Sequence, residues 1–471
     1  MSSQVEARHL RISTVVVRPS RLRSATWVLP VFAVLVLVYA ITLIVPSLLS
    51  IGFIFERNYN EGWNVYNAQR LIDHELIYDS DYWRINNYPI FSFLLVVGVN
   101  FVVNNLLLSA RIIALVSFVA GGILAAAATR RFGGDRVDAV FGGGCALGFC
   151  YLIAPSWVAA DDPQTLGEAL MLGGLVSYIS RPPDRIGLLR TAVLVTLGGF
   201  VKHNVVAIPV AITFDMAIRS SRRLSFWFGC CTGLTMSGFE ITHLVAGGAF
   251  VDHLLSRRVF AWHGARYHLM KYLHLSEFPL AIILLFARPI FCRDRRILAA
   301  YGIISIPAAT IFAGFEGTSY NMFQDTVVFL AVASGVMLHE LRGCITSEAA
   351  ANALAAKFTL SVAPLLLTQA DPGQEPGGFC ANLSCGRLAG NRPPSRKVLF
   401  GRSGVCFGGQ GPAICESLLL CYRAGQPFTL DPFNSRELIL AGKLDQNELI
   451  HRIAPRAFGV VQLRADICGR P

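Results

Sequence analysis

Residues 26–55 read TWVLPVFAVLVLVYAITLIVPSLLSIGFIF, thirty positions without a charged side chain. A helix of about 20 apolar residues crosses the hydrocarbon core of a bilayer, so this stretch is long enough to span one. Directly behind it stand Tyr59-Asn60-Glu61-Gly62-Trp63-Asn64-Val65-Tyr66 and a polar stretch that runs to Pro89. A carboxylate at the mouth of a membrane helix is costly unless something there needs it. The pairing of an apolar run with a carboxylate-bearing, aromatic-rich loop sets the reading of the rest.

The whole chain repeats the first half of that pattern. Of its 471 residues 54% are hydrophobic and only 15% charged, with a mean hydropathy of +0.51. A soluble chain carries roughly a quarter charged residues. The formal charge of +11 does not point to nucleic acid, because the basic residues cluster between apolar runs. That is the positive-inside distribution of a multi-pass membrane protein. Arg8, Arg11, Arg18, Arg21 and Arg23 precede the first run, with no acid after Glu6. The run is too long for a signal-peptide core and lacks a convincing cleavage site. It reads as a retained anchor with a cytoplasmic N-terminus, residues 1–25.

Charge asymmetry then assigns the sides. Runs at 26–50, 137–158, 188–201, 224–245 and 297–314 lead outward, with a weak run at 354–368. Those at 111–129, 164–180, 204–218, 277–291 and 322–338 lead back to arginine clusters. Residues 89–107, interrupted by Asn100, Asn104 and Asn105, suit a helix at the outer surface or a poor span. The expectation is about eleven transmembrane helices across residues 26–370, with the tail outside. Residues 371–411 are rich in Gly, Pro, Arg and Cys and read as a linker. Residues 412–471 read as a small α/β piece: a helix over 413–424, a strand over 427–431, helices capped at Asn434-Ser435 and Asp445, and a closing strand over 458–463. The fold class is thus an all-α polytopic membrane protein with a small C-terminal α/β extramembrane domain. The twelve cysteines form no framework, and Cys380 and Cys385 lack partners for a zinc site.

Plain arginine clusters gather on the inner side. The outer side gathers Glu61, Asp161, Asp162, Lys202, His203, Arg257, Arg258, Glu316 and Asn321, a mixture that looks like a site. Glu61 is either a helix-start acid facing a dipole or a general base for a hydroxyl. Trp63, Tyr66, Tyr78, Tyr82 and Trp83 serve equally as an interfacial belt or as stacking surface. Asp162 caps a helix whose first residue is Pro163. With Asp161 it exceeds what a cap requires, and such a carboxylate can bind sugar hydroxyls, orient an acceptor or hold a divalent ion. Lys202 is either a snorkelling lysine or a phosphate clamp. Arg257 and Arg258 suit bidentate phosphate binding. The histidines of the 246–276 loop match no metal motif. Asn321 and Asp325 either cap the following run or contribute to the site.

In their order these segments resemble the integral-membrane C-type glycosyltransferases, in particular the bacterial relatives of protein O-mannosyltransferases and lipid A aminoarabinose transferases. The resemblance is carried by Asn60-Glu61-Gly62-Trp63-Asn64, Ala68, Leu76-Ile77-Tyr78, Asn86-Asn87-Tyr88-Pro89, Asp162-Pro163-Gln164, Val201-Lys202-His203-Asn204 and 321–325. The tail from Cys415-Glu416 to Asp431-Pro432-Phe433 is similar to the small outer domain of such enzymes. It implies inverting transfer of a hexose or pentose from a polyprenyl-phosphate donor to a lipid, polysaccharide or protein acceptor. The reaction would take place at the periplasmic face of a bacterial inner membrane. It implies Glu61 as base, although Asn60 stands where the family carries an acid, and Asp162 as the second-loop acid. Lys202 is the outer cation, with Asp161, His203, Arg257, Arg258, Asn321 and Asp325 lining the substrate site. No cofactor is required by these residues, and a divalent metal at the acids stays open. The competing readings are a transporter or flippase of polyprenyl-linked sugars, and an inactive relative. Against a transporter stand the lack of an internal repeat and of a midplane charge cluster.

Overall fold

A computed structural model describes residues 28–80, 82–180, 184–256, 258–285, 295–344, 399–401, 404–406, 412–453 and 460–462. The expected span at 354–368 and Arg257 lie outside them, as does most of the linker. Within the linker range, Leu399–Gly401 (β1) and Gly404–Cys406 (β2) form a short antiparallel hairpin.

The described chain is mostly helical. Its helices are α1 (Val28–Leu49), α2 (Tyr59–Ile72), α3 (Phe91–Val103), α4 (Leu106–Arg131), α5 (Arg136–Ile153), α6 (Gln164–Ser180) and α7 (Arg185–Val201). They continue with α8 (Ala207–Arg219), α9 (Ser221–Ala246), α10 (Phe250–Leu254), α11 (Trp262–Leu285), α12 (Arg296–Phe312) and α13 (Gln324–Cys344). Among the described residues four helical stretches are long and apolar enough to cross a membrane: Leu29–Leu49, Leu106–Arg131, Arg136–Ile153 and Tyr320–Glu340. Phe91–Val103 and Arg296–Phe312 are apolar but shorter.

Helix α5 sits centrally, touching α1, α4 and α13, and α6 packs between α4 and α7. Val31, Leu35, Val38 and Ile41 of α1 are exposed, the face a span offers to lipid. α4 has 26 residues, so its ends lie about 39 Å apart. Arg111 is near one end and Arg130-Arg131 at the other. At the Arg130 end the chain is tied by ion pairs. Asp135 and Asp138 form a capping box for α5 and take Arg342 at 2.7 and 3.0 Å. Asp215 takes Arg296 at 2.5 Å. The candidate site occupies the opposite end.

Two regions read as loop are helical. The polar stretch after the first span holds α2, because Asn58 caps it by accepting from the Asn60 N–H at 3.0 Å. The 246–276 stretch holds α10 and most of α11, so its histidines belong largely to helices. Residues 73–80 and 82–90 are pinned rather than loose. The Tyr78 N–H donates to Ala246 O at 2.9 Å. His253 Nδ1 accepts from the Asn86 N–H at 3.2 Å while its Nε2 lies 2.8 Å from Asp79 O. The Tyr78 hydroxyl donates to Tyr88 O at 2.7 Å, which fixes where Tyr88 stands.

In the tail, Ala413–Cys415 (β3) pairs in parallel with Val460–Gln462 (β4). The helix expected over 413–424 is therefore a strand followed by α14 (Leu418–Arg423). The 427–431 segment is not a strand. Asp431 instead caps α15 (Pro432–Leu440), with Pro432 in the first turn. Thus the cap falls three residues before Asn434. A further helix, α16, covers Gln446–Ile453. Cys415 and Cys421 are disulfide-bonded, with Cα atoms 5.9 Å apart, so one cysteine pair does link.

This tail docks on α2. A Cβ on Gly62 would fall onto the Leu418–Leu419 peptide, so only glycine permits the approach. The Tyr66 ring stacks on Phe428 at 4.8 Å, and its hydroxyl donates to Gln426 O at 2.8 Å. The Tyr59 hydroxyl donates to Asp431 at 2.6 Å.

Candidate active site

The first turn of α2 is held by an ion pair that sequence reading did not foresee. Arg111, from α4, bonds both oxygens of Glu61, Nε to Oε1 and Nη2 to Oε2, each at 2.7 Å. Both side chains are fully buried. The remaining guanidinium donors go to the carbonyls of Ile51, Phe53 and Phe55, at 3.1, 2.5 and 2.7 Å. Glu61 is further occupied by the Arg57 N–H at 2.5 Å and the Asp161 N–H at 2.9 Å. The carboxylate expected to act as base is therefore enclosed, with every oxygen taken. It joins the α1–α2 turn, α4 and the acid-bearing turn before α6.

That turn is strained. Ala159 has φ of 57°, a left-handed conformation that costs a side-chain-bearing residue free energy and persists where surroundings enforce it. Its carbonyl accepts from Arg57 at 3.3 Å, and the Asp161 carbonyl accepts from Asn64 at 2.6 Å. The turn delivers Asp161 and Asp162 side by side. Burial first, then the charges of Glu61 and Asp162, raise the Asp161 carboxyl well above the usual range, against the pull of Arg111.

Asp162 divides its carboxylate. Oδ1 accepts from the Gln164 N–H at 2.8 Å and caps α6. Oδ2 accepts from Asn60 at 3.0 Å, lies 3.4 Å from the Tyr88 hydroxyl and 3.7 Å from Lys202 Nζ. Capping and site roles thus coexist in one side chain. Lys202 ends α7, its N–H bonded to Gly198 O at 2.9 Å. Its ammonium lies 3.7 Å from the centroid of the Tyr88 ring. It approaches α6 closely because position 167 is glycine: a Cβ there would meet Lys202 Cβ at 3.1 Å. Burial, assisted by Arg258, lowers the ammonium to about 8 against the opposing effect of Asp162. The same burial, with the charges of Lys202 and Arg258, brings His203 down to about 4. His203 is therefore neutral at pH 7, and its Nδ1 has no partner among the described residues.

Arg258 joins this region from the segment that precedes α11. Its guanidinium carbon is 5.9 Å from the Phe433 ring centroid, and its charge reaches Lys202, His203 and Asp431. Asn321 is buried, with Oδ1 unpartnered among the described residues. It neighbours Met322, whose sulfur accepts from Asn204 at 2.8 Å. Asp325 belongs to another cluster, with the Tyr301 hydroxyl at 2.6 Å from its Oδ1. A narrow groove lined by Asn64, Ser92, Phe93, Ala114, Asp161 and Asp162 leads from the acids between α3 and α4.

No protein-family model matches this chain, and neither does any curated protein. Two solved structures are similar to it to different degrees. The archaeal oligosaccharyltransferase AglB from Archaeoglobus fulgidus, in complex with an inhibitory peptide and a dolichol-phosphate, has a TM-score of 0.51 at 12% identity, over 87% of this chain and 65% of its own. ArnT from Cupriavidus metallidurans bound to undecaprenyl phosphate gives 0.47 at 14% identity, over 64% of this chain and 60% of its own. The chain thus spans less than two thirds of the length of these proteins. At such identities the likeness is one of fold. Over most of this chain the fold is similar to that of AglB.

Proposed function

We propose that this chain is a membrane glycosyltransferase that moves a sugar from a polyprenyl-phosphate donor to an acceptor hydroxyl. The observation that carries the reading is the divided carboxylate of Asp162: one oxygen locked in a helix cap, the other facing Lys202 and Tyr88. In the proposed reaction Asp162 Oδ2 takes the acceptor proton. The acceptor oxygen bonds to the anomeric carbon from one face as the bond to the donor phosphate breaks on the other. The electron pair leaves with the phosphate, and Lys202 and Arg258, with Arg257 beside it, neutralise the charge. A phosphate that draws on Lys202 also frees Asp162 to act as base. Asp161 and Asn321 orient hydroxyls, and the α3–α4 groove accepts the start of the isoprenoid chain. Glu61 positions these groups through Arg111 and the 159–162 turn.

The finer features belong to the same proposal: about eleven spans, division into residues 1–25, 26–370, 371–411 and 412–471, a C-terminal α/β unit outside the bilayer, a cytoplasmic N-terminus and a periplasmic site in a bacterial inner membrane. The Cys415–Cys421 bond supports that side for the tail, since disulfides persist in oxidising compartments. The sidedness of α2 follows from its contact with the tail. Inversion at the anomeric carbon, a hexose or pentose as cargo, and a lipid, polysaccharide or protein acceptor complete the reading. Asp161 and Asp162 alone do not fit a divalent metal, since no group of three or more ligating side chains stands among the described residues and Asp162 Oδ1 is held in the helix cap.

The test is transfer by the purified chain from a panel of radiolabelled polyprenyl-phosphate sugars to membrane lipids, glycans and peptides. Asp162→Asn should retain the cap and lose at least about 100-fold in rate. Full activity in that variant removes Asp162 from the chemistry.

A further inference from the structure

A buried histidine outside the groups assigned to transfer holds the segment that carries Tyr88. His253, on the short helix α10, is fully buried. The Asn86 N–H can only donate, so Nδ1, 3.2 Å away, is bare and accepts. The Asp79 carbonyl can only accept, so Nε2, 2.8 Å away, carries the ring proton. This pair of partners fits the neutral Nε2–H tautomer alone. They flank the helical turn at Tyr82–Arg84, so one side chain links Asp79 to Asn86. From Asn86 the ties run on to the candidate site. Asn86 Oδ1 accepts from the Tyr88 N–H at 3.0 Å. The Tyr88 hydroxyl accepts from Asn60 at 3.1 Å and lies 3.4 Å from Asp162 Oδ2, while the Tyr88 ring seats the Lys202 ammonium.

Protonation puts a second ring proton on Nδ1, facing the Asn86 N–H, and turns one hydrogen bond into a donor–donor contact. The charges that reach the ring are Asp79, Arg70 of α2 and Asp252 of α10 itself. Tyr78 meets it edge-on at 5.8 Å, and α9 brings His243 against Gly248. The Asp79 carboxylate is already taken by Arg70 at 2.7 Å and Arg84 at 3.0 Å, so little of its charge is left for an imidazolium. Burial lowers His253 below the usual histidine value, against the bond to the Asp79 carbonyl and the charges of Asp79 and Asp252, with Arg70 acting in the same direction as burial. The unfolded chain therefore takes up this proton first, and the clamp loses stability as pH falls below about 6.5. We propose that His253 is a positioning residue, holding Tyr88 against Asp162 and Lys202 while neutral and releasing residues 82–90 when protonated. Its bearing on transfer rests on the glycosyltransferase reading above; the clamp itself does not.

The test is hydrogen–deuterium exchange of the full chain in nanodiscs between about pH 7.5 and about pH 4.5. Wild type is compared with His253→Gln at each pH, so that the intrinsic pH dependence of exchange cancels. Glutamine offers an acceptor and a donor in place of the two ring nitrogens and does not titrate. Peptides covering residues 82–90 should exchange alike in both chains at the neutral end, and at least about tenfold faster in the wild type at the acid end. A wild-type to variant ratio that is the same at every pH would overturn the proposal. Should the variant not fold, exchange over 82–90 in the wild type is divided by that of its own helix α5. That ratio should climb on acidification, and a constant ratio overturns the proposal as well. In the transfer assay His253→Leu should lower kcat about tenfold to 100-fold at pH 7 with little change in KM for the donor, and His253→Gln should restore most of it. Unimpaired transfer by His253→Leu removes the positioning role. Acid release of 82–90 in a chain that transfers no sugar would support the clamp and count against the transferase reading alone.

Discussion

Arg111 and Glu61 form a fully buried, two-pronged ion pair, with both N–O contacts at 2.7 Å. Its consequence is architectural. Three segments far apart in sequence converge on these two side chains, and the acid turn before α6 is hung from Glu61 through the Asp161 N–H.

Removing one partner of a buried pair leaves the other charge uncompensated, at a cost of about 3–5 kcal/mol. Glu61→Gln and Arg111→Leu should each lower the thermal midpoint and the yield of folded protein. The double variant should recover part of the loss, because no charge is then stranded. Unfolding of the four proteins in detergent reads out this coupling. A Glu61→Gln chain that melts like wild type yet transfers no sugar would make Glu61, not Asp162, the base.

Lys202 gives the candidate site its pH dependence. Burial lowers the ammonium to about 8, so the group is cationic below that pH and neutral above it. A phosphate clamp works only when charged. Hence kcat/KM for the donor should fall as pH rises through about 8. Bound phosphate favours the charged form, so the corresponding limb in kcat should lie higher. Lys202→Met should lose about 100-fold to 1000-fold at pH 7 and lack the alkaline limb. A limb retained in Lys202→Met would assign the titration to another group.

The sequence shows the membrane character and the segments that converge, because apolar run length and arginine placement follow directly from bilayer physics. It does not show roles. Glu61 reads as a base because it stands at the mouth of the first span in a loop rich in Tyr, Asn and Trp. Its true neighbour, Arg111, sits inside an apolar run where a charged residue is itself the signal, yet pairing across fifty residues leaves no local mark. Asp162 was legible as a cap from Pro163, and its second oxygen could be placed only once α7 brought Lys202 alongside. In the tail, Asp431 was missed as a cap because Asn434-Ser435 offered an equally good signal three residues later.

The Cys415–Cys421 bond closes a short loop at the start of α14. In the chain-entropy account a loop this short contributes about 2 kcal/mol. Non-reducing peptide mapping should recover the two cysteines in one linked fragment. Replacing both with serine should lower the thermal midpoint modestly while leaving the helical bundle assembled. Free, readily alkylated thiols at both positions in protein purified without reductant would count against an outer location for the tail.

Gly62 tests whether tail and site form one unit. The Leu418–Leu419 peptide occupies the space a side chain would need, so Gly62→Val must push α14 away from α2 and break the Tyr66–Phe428 stack. Overpacking of this kind costs about 1–3 kcal/mol. The expected result is faster limited proteolysis between residues 412 and 453 with the membrane helices intact. A drop in transfer should accompany it, since Phe433, which faces Arg258, moves with the tail. Unchanged proteolysis in Gly62→Val would mean that α2 and α14 do not meet in the membrane-embedded protein.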